Sequence, residues 1–116
     1  MLKTLRDRLG RSNEEIHAET LQARFHDDTC VAIGEASDRG SVRLRGEVAA
    51  LQVVPRAGAP SLEVTVDDGT GRAVAVFTGR RRIGGLDPGR ALLVEGVARR
   101  ERGRLLMMNP KYTLKG

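Results

Sequence analysis

A chain of 116 residues and 12.6 kDa has room for one domain with a modest core, and its 40% of apolar residues include no run near the ~18 that a membrane-spanning helix needs. Aromatic residues make up only 3% (Phe25, Phe77 and Tyr112), which excludes a base-stacking platform of several rings, and one cysteine, Cys30, excludes an internal disulfide and a cysteine-built zinc site. The net charge is +5, and 17 of the 20 cations are arginine.

From the N-terminus, Leu2, Leu5 and Leu9 fall on one face of a short helix that Gly10 stops. The opening stretch has acidic residues and no apolar block of the secretory type, so a cytoplasmic protein without a membrane partner is expected. Ser12-Asn13-Glu14-Glu15 is a capping-box pattern that starts a second helix running to about Phe25, with Ile16, Thr20, Leu21 and Phe25 on one side. Gly34 and Ser37-Asp38-Arg39-Gly40 punctuate a loop. The domain boundary is placed there, giving a helical segment and linker over 1–38 and a second unit over 39–116.

After residue 41 the pattern becomes two-residue alternation. Val42, Leu44, Gly46 and Val48 share one phase, and Leu51 and Val53 take the other, which predicts a bulge or bend in the first strand at or just after Gly46. Residues 55–60 read as a loop. Leu62, Val64 and Val66 mark a second strand, Asp68-Gly69-Thr70-Gly71 a tight hairpin, and 72–78 a third strand. Residues 80–89 make a connection, 90–99 a fourth strand with an internal Gly96, and 104–115 a fifth. Helices followed by five short strands, two of them with internal glycines, predict a partly open five-stranded Greek-key barrel, the OB-fold. An SH3-like barrel is the competitor, but it places its helical turn before the last strand rather than between the third and fourth.

Charge is segregated along this layout. Residues 1–40 carry 6 basic and 8 acidic side chains, a net of −2, while 41–116 carry 14 and 7, a net of +7. An arginine-dominated excess confined to the strand-rich unit points to a polyanion. A GC-rich codon bias would explain arginine over lysine, but it would not explain the segregation.

Asp67-Asp68-Gly69-Thr70-Gly71 between two strands, Leu86-Asp87-Pro88-Gly89-Arg90 at the entry to the fourth, and Asn109-Pro110-Lys111-Tyr112 near the end resemble three elements of known OB domains. These are the anticodon-binding domains of some aminoacyl-tRNA synthetases and the wedge domain of bacterial branch-migration helicases. With Gly79-Arg80-Arg81-Arg82-Ile83, the stretch from about residue 31 onward is also similar to small actinobacterial OB-fold nucleic-acid-binding-domain proteins. The resemblance implies a non-enzymatic nucleic-acid-binding module without cofactor or metal. Its partner would be single-stranded or branched DNA, or RNA. The wedge domain's paired aromatics at the end of strand three are here Phe77-Thr78, so one ring is missing.

The candidate contacts follow. Arg43 and Arg45 lie on the outer face of strand one, Arg56 in the loop between strands one and two, and Arg99, Arg100, Arg102 and Arg104 at the turn between strands four and five. The last two places flank the face of strands two and three, where OB-folds take up nucleic acid, and the guanidinium fork matches two phosphate oxygens. Any one of these arginines is equally explained as a solvated side chain paired with Glu47, Glu63, Glu95 or Glu101; the cluster points to the groove. Phe77 and Tyr112 are the candidate stacking rings, with core packing as the alternative for each. Arg80-Arg81-Arg82 reads as a polar cover on the connection, and Cys30 as a buried, inert thiol. His17 and His26 are nine residues apart with no second cysteine, so no metal site and no catalytic constellation is drawn. The other reading is a protein-interaction module that uses the barrel, or self-association or partner binding through Leu2, Leu5, Leu9 and Ile16.

Overall fold

The computed structural model describes residues 12–36 and 40–116. The expected helix carrying Leu2, Leu5 and Leu9, and the boundary at residue 38, lie outside them. Helix α1 (Asn13–Phe25) starts where the capping pattern places it: the Ser12 hydroxyl accepts from the Glu15 backbone N–H at 3.1 Å. Its buried side is smaller than the sequence suggests. Leu21 and Phe25 are buried against Ala91, whereas Ile16 and Thr20 stay exposed, with the Thr20 hydroxyl turned back to the Ile16 carbonyl. The helix therefore rests on the barrel by its C-terminal half. A single 3-10 turn (Ile33–Glu35) then drops Ile33 into the main core, and Cys30 beside it is half-buried rather than buried.

Six strands follow: β1 (Ser41–Arg56), β2 (Ala59–Asp67), β3 (Arg72–Thr78), β4 (Ala91–Glu101), β5 (Arg104–Met108) and β6 (Lys111–Leu114). The first five close a ring, β1-β2-β3-β5-β4 and back to β1, all antiparallel except β3 with β5. This is the Greek-key barrel of the OB-fold. Its interior is filled by one phase of each strand, including Leu44, Leu62, Val64, Val66, Phe77, Leu92, Val94 and Met107, and the connection from β3 to β4 caps it with Ile83 and Leu86.

The phase switch in β1, expected at or just after Gly46, falls at Ala49, where the register shifts between Val48 and Ala50; three other local expectations are corrected. Gly46 has a different duty: a Cβ there would lie 2.6 Å from the Asp67 carbonyl oxygen, so only glycine lets β1 cross the end of β2 this closely. Residues 55–60 are not a loop. β1 runs through Pro55, and the chain turns on Ala57 and Gly58, both at positive φ (50° and 79°), as a type I′ hairpin. The Asp68–Gly71 turn is a four-residue loop closed by the Asp67–Arg72 pair, wider than a two-residue Asp-Gly hairpin. The expected fifth strand is broken at Asn109-Pro110: Asn109 takes φ 48°, its side chain accepts from the Thr78 N–H and hydroxyl, and β6 leaves β3 to continue along β4 alone.

Alanine at φ 50° is strained, because its Cβ crowds the following carbonyl. Ala57→Asn, which supplies the residue type I′ turns favour, should raise the stability by about 1 kcal/mol. A midpoint in thermal melts that does not rise would show the turn to be already relaxed.

Candidate nucleic-acid interface

The outward phase of β2, β3 and β5 forms one continuous face. β2 contributes Ser61, Glu63 and Thr65, opposite Thr78, Val76 and Val74 of β3. Val74 and Val76 in turn lie beside Leu106 and Met108 of β5, and these four apolar residues form a second cluster separate from the main core, with Val74, Val76 and Leu106 buried and Met108 half-buried. The β1–β2 hairpin borders the face on one side and carries Gln52 and Arg56. The β4–β5 hairpin borders it on the other, with Arg99 and Arg104 in the same outward phase as Leu106.

Glu63 sits at the centre of this face and is only 3% exposed. A carboxylate that dry requires partners. One Glu63 oxygen accepts from Arg104 Nη1 at 3.0 Å and from Gln52 Nε2 at 3.4 Å; the other lies 3.9 Å from Arg56 Nη2. Because β3 separates β5 from β2, the Arg104 side chain crosses β3 to reach Glu63. One arginine from each border thus converges on a single carboxylate in the floor, and each keeps N–H donors that Glu63 does not occupy.

The other sequence-predicted residues are spread over several surfaces. Arg99 makes a 3.6 Å pair with Glu101 on the exposed hairpin. Arg102 occupies the hairpin tip at φ 53°, followed by Gly103 at φ 80°, a second type I′ turn that holds its side chain out from the barrel. Arg100 lies opposite Leu105 in the core-facing phase, beyond the barrel's end and exposed. Arg43 and Arg45 stand on the other wall, that of β1 and β4: Arg43 pairs with Glu95 at 3.3 Å, and Arg45 pairs with Asp27 at 3.3 Å and lies over the Phe25 ring. Phe77 is 6% exposed in the core, with the Tyr112 ring edge-on at 5.4 Å. It offers no face to a base. Tyr112, 37% exposed, is the more accessible ring, at the end of the barrel and not in the groove. Sequence reasoning missed Glu63 as the organiser of the groove, although its alternation with Leu62 and Val64 already placed it outward.

The Asp-Gly-Thr-Gly motif fastens the N-terminal segment to the barrel. Asp68, buried, accepts from Thr70 N–H, Thr70 O–H and Gly71 N–H on one oxygen and from the Ile33 N–H, at 2.9 Å, on the other. Thr70 Oγ1 accepts from the Gly34 N–H, and the Gly69 carbonyl accepts from Gln22 Nε2 on α1. Gly69, at φ 87°, would place a Cβ only 2.1 Å from the Ala18 carbonyl oxygen, so the helix lies directly against the turn. Arg24–Glu47 at 3.1 Å and Arg45–Asp27 add ion pairs. The Asp27 carboxyl is held below its ordinary value of 3.8, first by the Thr29 hydroxyl and N–H and then by Arg45. A depressed carboxyl pKa contributes stability above the ordinary value, and that contribution is lost as pH falls through the folded value. The Asp27 tether therefore releases only in acid.

A closed ring of this order, with an arginine-bordered face over β2 and β3, belongs to the OB class. No protein-family model matches the chain, and no curated protein matches it either. A solved structure, described as "Structure and Conformational Change of a Replication Protein A Heterotrimer Bound to ssDNA", contains a chain that is 15% identical with a TM-score of 0.51, covering 78% of this chain and 69% of that one. At that identity the likeness is one of fold.

Proposed function

We propose that this protein is a non-enzymatic OB-fold module that binds single-stranded DNA or RNA through arginine–phosphate contacts with little sequence preference. The observation that carries the reading is the convergence of Arg56 and Arg104, one from each border, on the face over β2 and β3, with Arg99 and Arg102 along the same hairpin as Arg104. Among the described residues Arg100 and Arg102 have no carboxylate within ion-pair distance, so their charge is not spent within the barrel. The similar chain from a replication protein A complex bound to ssDNA supports the same class of ligand. Arg43 and Arg45, engaged on the α1-bearing wall, are left out of the proposed contact set. The absence of a ring on the groove floor suits a phosphate-led, sequence-tolerant mode.

The test is fluorescence anisotropy on an oligonucleotide of about 20 nucleotides, longer than the roughly 4–16 that one OB-fold covers. Four to six phosphate contacts predict a log K against log salt slope of about −3 to −4. Replacing Arg99, Arg100 and Arg102 together with Ala should weaken binding to all sequences alike and flatten the slope by about 2. The side chains are exposed, so the fold should be kept. No binding at low salt, or indifference to the triple replacement, would sink the proposal.

A further inference from the structure

A second site lies outside the arginine-bordered groove. β1 pairs with β4 only as far as Glu47, and from Ala50 to Arg56 it pairs with β2 alone, so among the described residues its other edge carries no strand. The β3–β4 connection touches that edge once, at Val48, through Val48 N–H to the Arg90 carbonyl at 2.9 Å and Gly89 N–H to the Val48 carbonyl at 2.8 Å. Beyond this point the two segments diverge and leave a cleft of about 310 Å³. Leu62, Ile83 and Leu86 line it from the core, Leu51 and Val53 from the β1 edge, and Arg81 and Arg82 from the connection. Val53 is 46% exposed, an apolar side chain facing solvent between half-buried Leu51 and exposed Pro55 in the same phase of β1. Among the described residues neither Arg81 nor Arg82 has a carboxylate within ion-pair distance.

We infer that this cleft binds an extended acidic peptide of a partner protein, with an apolar side chain seated on Leu62, Ile83 and Leu86 and flanking carboxylates on Arg81 and Arg82. Three features select that occupant. The aliphatic lining takes an apolar side chain and offers no ring on which a base could stack. The two unspent guanidiniums next to it call for carboxylates. The unpaired β1 edge supplies main-chain donors and acceptors to an extended segment, the mode by which sheets capture peptides. The cleft adjoins the groove at Gln52 but is lined by the opposite phase of β1, Leu51 and Val53, and by the β3–β4 connection, so it does not depend on nucleic-acid binding in the groove.

The probe is a fluorescein-labelled peptide of about eight residues that alternates Asp with Leu, the span of a short added strand. It is titrated with the full chain, beside a counterpart in which Lys replaces Asp. The Asp–Leu peptide is expected to bind in the range of about 10–100 μM and the Lys–Leu peptide at least about tenfold more weakly. Val53→Asp, and separately Arg81→Glu with Arg82→Glu, should each reduce binding of the acidic peptide at least about tenfold. All three positions are exposed, so these variants should fold, and their binding to the oligonucleotide reports independently on the groove. Amide shifts in NMR spectra should fall on 49–54 and 81–86. Equal binding of the two peptides would overturn the inference, as would variants that bind like the parent or shifts confined to the β2–β3 face. Displacement of the acidic peptide by the oligonucleotide, with the Arg81 and Arg82 variant losing both, would assign the cleft to nucleic acid instead.

Discussion

Replacing Asp68 with Ala is expected to lower stability by about 3 kcal/mol and the melting midpoint by roughly 10–20 °C. The Asp68 carboxylate accepts four hydrogen bonds, three within its own turn and one from the Ile33 N–H, which is buried. Alanine strands the buried Ile33 N–H, which costs about 1–3 kcal/mol, and takes from the part-buried Thr70 and Gly71 donors the acceptor that shapes the turn. The loss is not confined to the turn. Ile33 is part of the main core, and the Gly34 and Gln22 bonds to Thr70 and Gly69 rely on the loop shape that Asp68 fixes. The 12–36 segment should therefore loosen first, seen as faster proteolysis near residues 26–32 at temperatures where the barrel is still folded. Asp67→Ala is the comparison: it removes one bond to the Gly69 N–H and an exposed pair with Arg72, and should cost only about 1 kcal/mol. If the two variants melt together, the Asp-Gly-Thr-Gly loop is an ordinary hairpin and does not anchor the segment.

The second large effect belongs to the groove floor. Arg104→Ala removes the closest cation from a carboxylate that is 3% exposed and should cost about 2–3 kcal/mol. That is the low end for a broken buried pair, because Arg56 at 3.9 Å and Gln52 at 3.4 Å still face Glu63 and the Arg104 side chain is itself partly solvated. Glu63→Gln in the Arg104→Ala background should restore most of the loss, since no buried charge then remains unpaired. The same Glu63→Gln alone frees both guanidiniums from their internal carboxylate. Oligonucleotide affinity should then rise several-fold, with the salt slope steeper by up to about 1. A double-mutant cycle by urea denaturation reads the coupling directly. Additive losses, with no rescue by Gln, would mean that Arg104 stabilises by packing its stem over β3 and not by its charge.

The five-strand barrel was legible in the sequence from the two-residue alternation, the internal glycines of the first and fourth strands, and the connection lying between the third and fourth. The sequence by itself determined the cap of α1 at Ser12, and the outward placement of Arg43, Arg45 and Glu63, since all of these depend on residues a few positions apart. It also segregated the charge. The change of phase between Val48 and Leu51 bracketed the bulge of β1, but the pattern could not reveal the close crossing of β2 that requires glycine at 46. Nor could it reveal that the fifth strand divides at Asn109, a break set by the Asn109 side chain bonding across to Thr78 on β3. Which arginines meet follows from the closure of the ring. Arg56 and Arg104 are far apart in the chain and converge on Glu63 because the ring places β2 and β5 on either side of β3. Arg45, in the same strand phase as Arg43, is drawn instead to Asp27 by the N-terminal segment. Distances between charges on different strands depend on register and closure, and local pattern carries no information about either.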